Sequence, residues 1–361
     1  MNPLATPAMV VDAQTVFRNL ERLAAYADQH DLAIRPHTKT HKSRQLAQLQ
    51  VEAGAQGLTA AKVGEAELMA EVSNDVLLAY PAIDRARTDR LVRLAAHTTL
   101  RVAVDSQDGA KLIGQAANRA KATIGILVDL DVGMGRTGLQ SPHEALKLAQ
   151  FVDATPGLRL DGLFCYPGHI VEPAAEQTQP LQAVSDMLAE TLDLWENHGL
   201  QARIVSGGST PTAYQSHLVP EYTEIRPGTY VYNDMNTVRG GYCGLDDCAA
   251  RIICTVVSNA VPGQVVIDGG SKTLTSDRCA WAPDSGHGYV VEYPEAVIKR
   301  LSEEHAQVDI RTCGRAPQLG ERVTVIPNHI CPCVNLQDAV WWRDVEGQLL
   351  ELSIDARGLL V

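Results

Sequence analysis

The chain has 361 residues, 45% of them hydrophobic, a net charge of −12 and a sequence pI near 5.4. That length suits one large domain, or a large domain with a smaller one, and the acidic balance argues against nucleic acid or an anionic membrane as partner. No apolar run approaches the roughly 20 residues that span a bilayer, and the start Met1-Asn2-Pro3-Leu4-Ala5 lacks the basic and apolar regions of a signal peptide. A cytoplasmic protein is therefore expected. Its eight cysteines are read as reduced thiols, with Cys165, Cys254 and Cys279 as small core residues.

In chain order, Ala8–Asp12 reads as a strand. Eight further apolar runs follow, at Leu32–Ile34, Gly57–Ala60, Val76–Tyr80, Leu100–Val104, Ile124–Leu130, Leu158–Cys165, Arg203–Ser206 and Glu224–Val231. Amphipathic stretches such as Lys62–Glu71, Ser106–Ala120 and His143–Val152 separate them with helical spacing. Eight strands alternating with helices predict an α/β fold, a (β/α)8 TIM-like barrel over residues 15–236. The alternative, a doubly wound open sheet, lacks any GxGxxG opening a helix. Beyond about residue 240 come short β-rich segments at Ala249–Ser258, Gln264–Asp268, Tyr289–Glu292, Arg322–Ile326, Ala339–Arg343 and Leu349–Ile354. With the initial strand they predict a second, smaller C-terminal β domain of residues 1–14 and 237–361.

In a barrel, functional side chains belong at the C-terminal ends of strands, and the unusual residues fall there. After the first strand, Arg35-Pro36-His37-Thr38-Lys39-Thr40-His41-Lys42 surrounds Lys39 with cationic or protonatable groups. Such crowding lowers a lysine pKa, and a neutral amine forms a Schiff base with an aldehyde; a basic surface loop is the alternative. After the fifth, Asp131-Val132-Gly133-Met134-Gly135-Arg136 makes a tight turn, with Arg136 a donor to a phenolate or carboxylate, or else a surface arginine. Tyr166-Pro167-Gly168-His169 pairs a flat ring with a titratable imidazole, or holds a structural tyrosine. The loops Gly207-Gly208-Ser209-Thr210 and Arg226-Pro227-Gly228-Thr229-Tyr230 follow the seventh and eighth strands, where barrel phosphate sites lie. Finally, in Pro327-Asn328-His329-Ile330-Cys331-Pro332-Cys333, read as a strand, His329 and Cys331 share a face. Imidazole plus thiolate suits an open site for zinc or a similar borderline-soft cation; a core cysteine with a satisfied histidine is the alternative.

Together these segments resemble the fold-type III pyridoxal-phosphate enzymes, the alanine-racemase-like barrels, and more closely the D-threonine aldolase and D-serine dehydratase group. The likeness spans nearly the whole chain and includes Asp268-Gly269-Gly270-Ser271-Lys272 and Ser302-Glu303-Glu304-His305. It implies that Lys39 binds pyridoxal 5'-phosphate covalently, that Tyr166 lies beside the cofactor ring and that Arg136 lies near its phenolic oxygen. It also implies that Gly207, Gly208, Ser209, Arg226, Gly228 and Tyr230 hold the phosphate. His329 and Cys331 would hold a divalent metal beside the substrate. His-x-Cys in place of His-x-Asp leans toward zinc over manganese and toward a dehydratase; Pro167 stands where the group carries a small or polar residue. The implied activity is a lyase acting on 3-hydroxy-D-amino acids such as D-serine and D-threonine, with Lys39 and His169 as catalytic bases, in a homodimer. The alternatives are a D-threonine aldolase, an amino-acid racemase and a non-catalytic cofactor-binding protein.

Overall fold

The computed structural model describes residues 4–361; Met1–Pro3, on which part of the N-terminal reading falls, lie outside the described residues. The chain forms two compact units. One holds the residues up to Leu20 together with Thr229–Arg357, the other Glu21–Gly228 and Gly358–Val361.

The larger unit contains all eight expected strands: Ala33–Ile34, Leu58–Ala60, Asp75–Leu78, Thr99–Val104, Ile124–Asp129, Leu158–Phe164, Ile204–Gly207 and Glu224–Ile225. Each runs parallel to its neighbour, and the first pairs with the eighth. His37 bridges Thr59 just beyond the first strand, and Thr59 N–H donates to Pro36 O at 2.9 Å, which joins the first strand to the second and closes the barrel. Helices Arg44–Glu52, Val63–Met69, Arg85–Ala95, Gln107–Arg119, Pro142–Asp153 and Thr178–Glu196 fill the crossovers. Asp84, Ser106 and Ser141 cap three of them by accepting a backbone N–H, each worth about 1 kcal/mol. The seventh strand is followed by a 3-10 turn, Ala213–Leu218, rather than an α-helix.

The N-terminal half of the barrel interior is charged. Arg35 pairs with Glu224 at 2.9 Å and with Asp75; Arg101 lies between Asp75 and Asp161, and Arg159 also pairs with Asp161. Glu224 in turn accepts from Ser206 Oγ, which accepts from Arg226. Removing one member of such a set leaves a buried charge unpaired, at a cost of about 3–5 kcal/mol.

In the smaller unit, Ala8–Asp12 pairs antiparallel with Ala250–Ser258 and parallel with Ala339–Arg343. The sheet continues through Gln264–Ile267, Ala306–Asp309 and Val297–Leu301 on one side and Leu349–Ser353 on the other. Arg322–Ile326 also pairs with Ala250–Ser258. The hairpin Val297–Leu301/Ala306–Asp309 was not expected from the sequence. Among the described residues, no helix is long and apolar enough to cross a membrane.

Candidate active site

Lys39 sits in a single 3-10 turn, Thr38–Thr40, that begins where the first barrel strand ends. Buried polar contacts fix this turn. Thr38 Oγ1 reaches Thr59 O and Glu65 Oε1, each at 3.0 Å, while Glu65 Oε2 accepts from Ala61 N–H at 2.8 Å. His41 Nδ1 accepts from Ser43 N–H at 3.1 Å, which leaves its Nε2 to donate to Gln50 Oε1. Lys39 is half-buried, with Nζ 5.9 Å from the centre of the Tyr166 ring. Burial first, then the charges of Lys39 and Arg226, push His37 well below its ordinary value, so this imidazole stays neutral.

The fifth and sixth strands bring Arg136 and Tyr166 to the same place, with the guanidinium carbon 4.8 Å from the ring centre. A Cβ at Gly168 would stand 2.1 Å from the Tyr166 ring, so this ring position requires glycine there. His169 is exposed and leans on Gly133, whose absent Cβ would lie 2.8 Å from Nε2. Asp131 accepts from the N–H groups of Gly133, Met134 and Gly135 and from Gln140; these bonds outweigh its burial and hold its pKa down. It shapes the loop that carries Arg136. Asp129 is buried, and burial foremost raises it to about 6, with Asp105 adding to the rise while Thr137, Arg226 and Arg136 oppose it.

The loops after the seventh and eighth strands are tied together, because Gly228 N–H donates to Thr210 Oγ1. A Cβ on Gly228 would lie 3.0 Å from both His37 O and Thr40 Oγ1, so a larger residue would press this loop away from the Lys39 turn. Gly207, Gly208 and Ser209 form the partner loop, and Ser209 N–H donates to Thr212 Oγ1. Small residues, hydroxyls and backbone N–H groups on two joined loops suit a phosphate, and an amine facing an aromatic ring suits an aromatic aldehyde. Arg226 points elsewhere. Its guanidinium donates to Ser206 Oγ and Cys165 O, both at 2.6 Å, and stacks 3.8 Å over Phe164. Tyr230 is buried and belongs to the smaller unit.

His329 and Cys331 also belong to the smaller unit, and here the strand expected from the sequence gives way to a helix. His329 is extended and caps Ile330–Asn335, so Cys331 stands in the first helical turn. The side chains still meet, hydrogen-bonded imidazole to thiol. Burial opposes the imidazolium, but the Cys331 hydrogen bond, then the Cys331, Asp234 and Asp277 charges, raise His329 to about 9. Asp234, itself buried, accepts from Thr237 N–H through one oxygen and from Ile330 N–H through the other. It thereby caps two helices and fixes the residue after His329. Cys333 does not share the face; it is buried, with its thiol on Leu274 O and His329 O. Thr229 Oγ1 lies 3.6 Å from the Cys331 sulfur. A nitrogen and a sulfur donor in an acidic surrounding suit a borderline-soft divalent cation.

Lys39, Arg136 and Tyr166 thus converge on one ring, with the two glycine loops against the Lys39 turn. Sequence reasoning missed Glu65, Asp129 and Asp234. Asp234 left a signal, the capping spacing Asp234-x-x-Thr237. The Asp268–Lys272 and Ser302–His305 segments are paired through Ser271 N–H to Ser302 O and Lys272 N–H to Glu303 O, and Lys272 Nζ binds Glu303 and Glu304.

Residues 11–236 match the family model "Alanine racemase, N-terminal domain", and residues 249–342 match "Putative serine dehydratase domain". The chain is 29% identical to a D-threonine aldolase of Arthrobacter sp., over 94% of this chain and 90% of that one. It is 30% identical to the D-threo-3-hydroxyaspartate dehydratase of Delftia sp. strain HT23, over 91% of both chains. Among solved structures, the D-threonine aldolase of Filomicrobium marinum superposes with a TM-score of 0.91 at 28% identity, covering 99% of this chain and 97% of that one. A D-threo-3-hydroxyaspartate dehydratase, 26% identical to this chain, has been solved as a histidine-to-alanine variant and, in a metal-free form, as a cysteine-to-alanine variant two positions further on.

Proposed function

The chain belongs to the alanine racemase N-terminal domain family, the fold-type III group that its motifs resemble, and on that premise we propose that it is a pyridoxal-phosphate- and divalent-metal-dependent lyase of 3-hydroxy-D-amino acids, of the dehydratase type. The observation that carries this reading is the pair His329 and Cys331, in contact with each other, which matches in kind and spacing the two positions altered in the dehydratase variants. Zinc is the metal this donor pair favours. The cofactor supplies an electron sink for the bonds at the substrate's Cα, and the metal a Lewis acid for its 3-hydroxyl. Lys39 would hold the cofactor, and its amine would remove the α-proton and carry it at Nζ. Tyr166 presents a flat face and Arg136 a guanidinium, while Gly207, Gly208, Ser209 and Gly228 would hold the phosphate. Arg226, braced by Ser206 and Cys165 O, brings a fixed positive charge beneath them. Loss of the hydroxyl as water, then hydrolysis, gives a keto acid and ammonia.

A second reading, an aldolase, is favoured by His169, an exposed imidazole against Gly133 on the loop that carries Arg136, which could take the hydroxyl proton so that Cα–Cβ cleavage yields glycine and an aldehyde. The deciding experiment incubates chelator-treated, zinc-reloaded and manganese-reloaded protein with D-serine, D-threonine and 3-hydroxy-D-aspartate, and assays ammonia, keto acid and glycine together. Metal-restored keto acid with equal ammonia is expected. Glycine with an aldehyde selects the aldolase, and racemisation by metal-free protein overturns both. A homodimer is part of the same proposal, resting on the family likeness, and light scattering reads it.

A further inference from the structure

A thiol pair that the reaction does not use lies in the segment between Arg239 and Ala250. The 3-10 turn Leu245–Asp247 folds this segment back, and the side chains of Cys243 and Cys248 meet in a hydrogen bond. Cys243 is half-exposed, and its sulfur also lies 3.4 Å from Thr237 Oγ1. Cys248 is buried in a cluster with Met235 and Ile326. The two thiols are therefore unequal in access, one open to solvent and one behind it.

They are unequal in acidity too. The hydrogen bond from Cys248, foremost, holds the Cys243 thiol below its ordinary value against the effect of burial, while Cys248, the partner that keeps its proton, is pushed up. Cys313, the half-exposed cysteine of the Ile310–Cys313 turn, is pushed up by burial and by Glu295 and Asp309. An accessible thiol of lowered pKa with a second, buried thiol in contact is the arrangement of an attacking and a resolving cysteine.

We propose that Cys243 and Cys248 form a peroxide-sensitive modification site that closes to an intramolecular disulfide. The Cys243 thiolate attacks one oxygen of hydrogen peroxide, and the O–O bond breaks. Cys243 becomes a sulfenic acid, and the departing hydroxide takes a proton to become water. Cys248 then attacks the sulfenic sulfur, the S–S bond forms, the S–O bond breaks, and a second water leaves with the Cys248 proton. Peroxide gains two electrons and the two thiols lose them; a thiol reductant reverses the change. Closure withdraws the Cys243 sulfur from Thr237, a residue of the helix that Asp234 caps.

The sequence makes the test clean, since trypsin releases Gly240–Arg251 with both cysteines and no others. The intact wild-type protein, cofactor and metal in place, is treated with hydrogen peroxide, alkylated, digested and weighed. The expected result is a peptide lighter by about 2 Da that carries neither alkyl group, formed about tenfold faster than Cys313 is lost, and restored by reductant. In Cys248→Ser, dimedone should trap Cys243 as the sulfenic acid. The proposal is overturned if Gly240–Arg251 stays doubly alkylated at doses that consume Cys313. Cys243 passing to sulfinic acid while Cys248 remains alkylatable would also overturn it.

Discussion

Two histidines, one in each compact unit, are displaced in opposite directions. His37, beside Lys39 and Arg226 at the barrel's end, is driven well below its ordinary value; His329, beside Cys331, Asp234 and Asp277, is raised to about 9. Both lose solvation, so burial alone would lower both. The neighbours decide the sign. The barrel loops gather positive charge where an anionic phosphate is expected, and the turn at His329 gathers negative charge where a cation is expected. The scaffolds differ as well. The Lys39 turn is fixed by Glu65 and Gln50 from two helices and by the carbonyl of Thr59 from one strand, whereas the His329 turn is held by the Asp234 carboxylate together with Asn328, which donates to Asp277 O and Gly286 O.

If the two regions divide the labour this way, their variants separate. Lys39→Ala should lower turnover by about 10³-fold or more and abolish the visible absorbance of bound cofactor. His329→Ala should lower turnover by about 10²–10³-fold and leave that absorbance intact. Spectra and steady-state rates on both variants check this, and equal loss of cofactor in both would end the comparison. Asp129 tests the barrel's field from the other side. Its folded-state pKa of about 6 exceeds the ordinary 3.8, so folding favours the protonated acid. That stabilisation, up to about 3 kcal/mol, is complete below about pH 4 and lost as pH rises through 6. Asp129→Asn lacks the loss, so urea titrations should show the variant gaining on wild type from pH 4 to 7; a constant difference would mean that the charges of Arg226 and Arg136 offset the burial in full. Asp234→Asn should weaken metal affinity by about 10–100-fold, read by competition with a chelating dye, while the cofactor spectrum stays unchanged.

The barrel was legible because its strands are short apolar runs bounded by turns, and all eight occur where those runs lie. The hairpin at Val297–Leu301 and Ala306–Asp309 was not, because Lys299 and Arg300 interrupt the apolar alternation of the first strand and the second is only four residues long. The pairing of His329 with Cys331 was inferred through the wrong geometry. A two-residue strand period gave the right neighbours, but Pro332 sits in a first helical turn, where a missing N–H costs nothing. Glu65 was invisible for a different reason. A glutamate in a helix reads as solvent-facing, and its partners, Thr38 and Ala61, come from other segments.

The charged filling of the barrel bears on how such a protein can change over generations. Losing Glu224 leaves Arg35 to share Asp75 with Arg101, and losing Asp161 takes one of two partners from Arg101 and the ion pair of Arg159. Exchange of a whole set for well-packed apolar residues can be neutral, while loss of one partner is not. Drift at these positions therefore proceeds as a block or not at all.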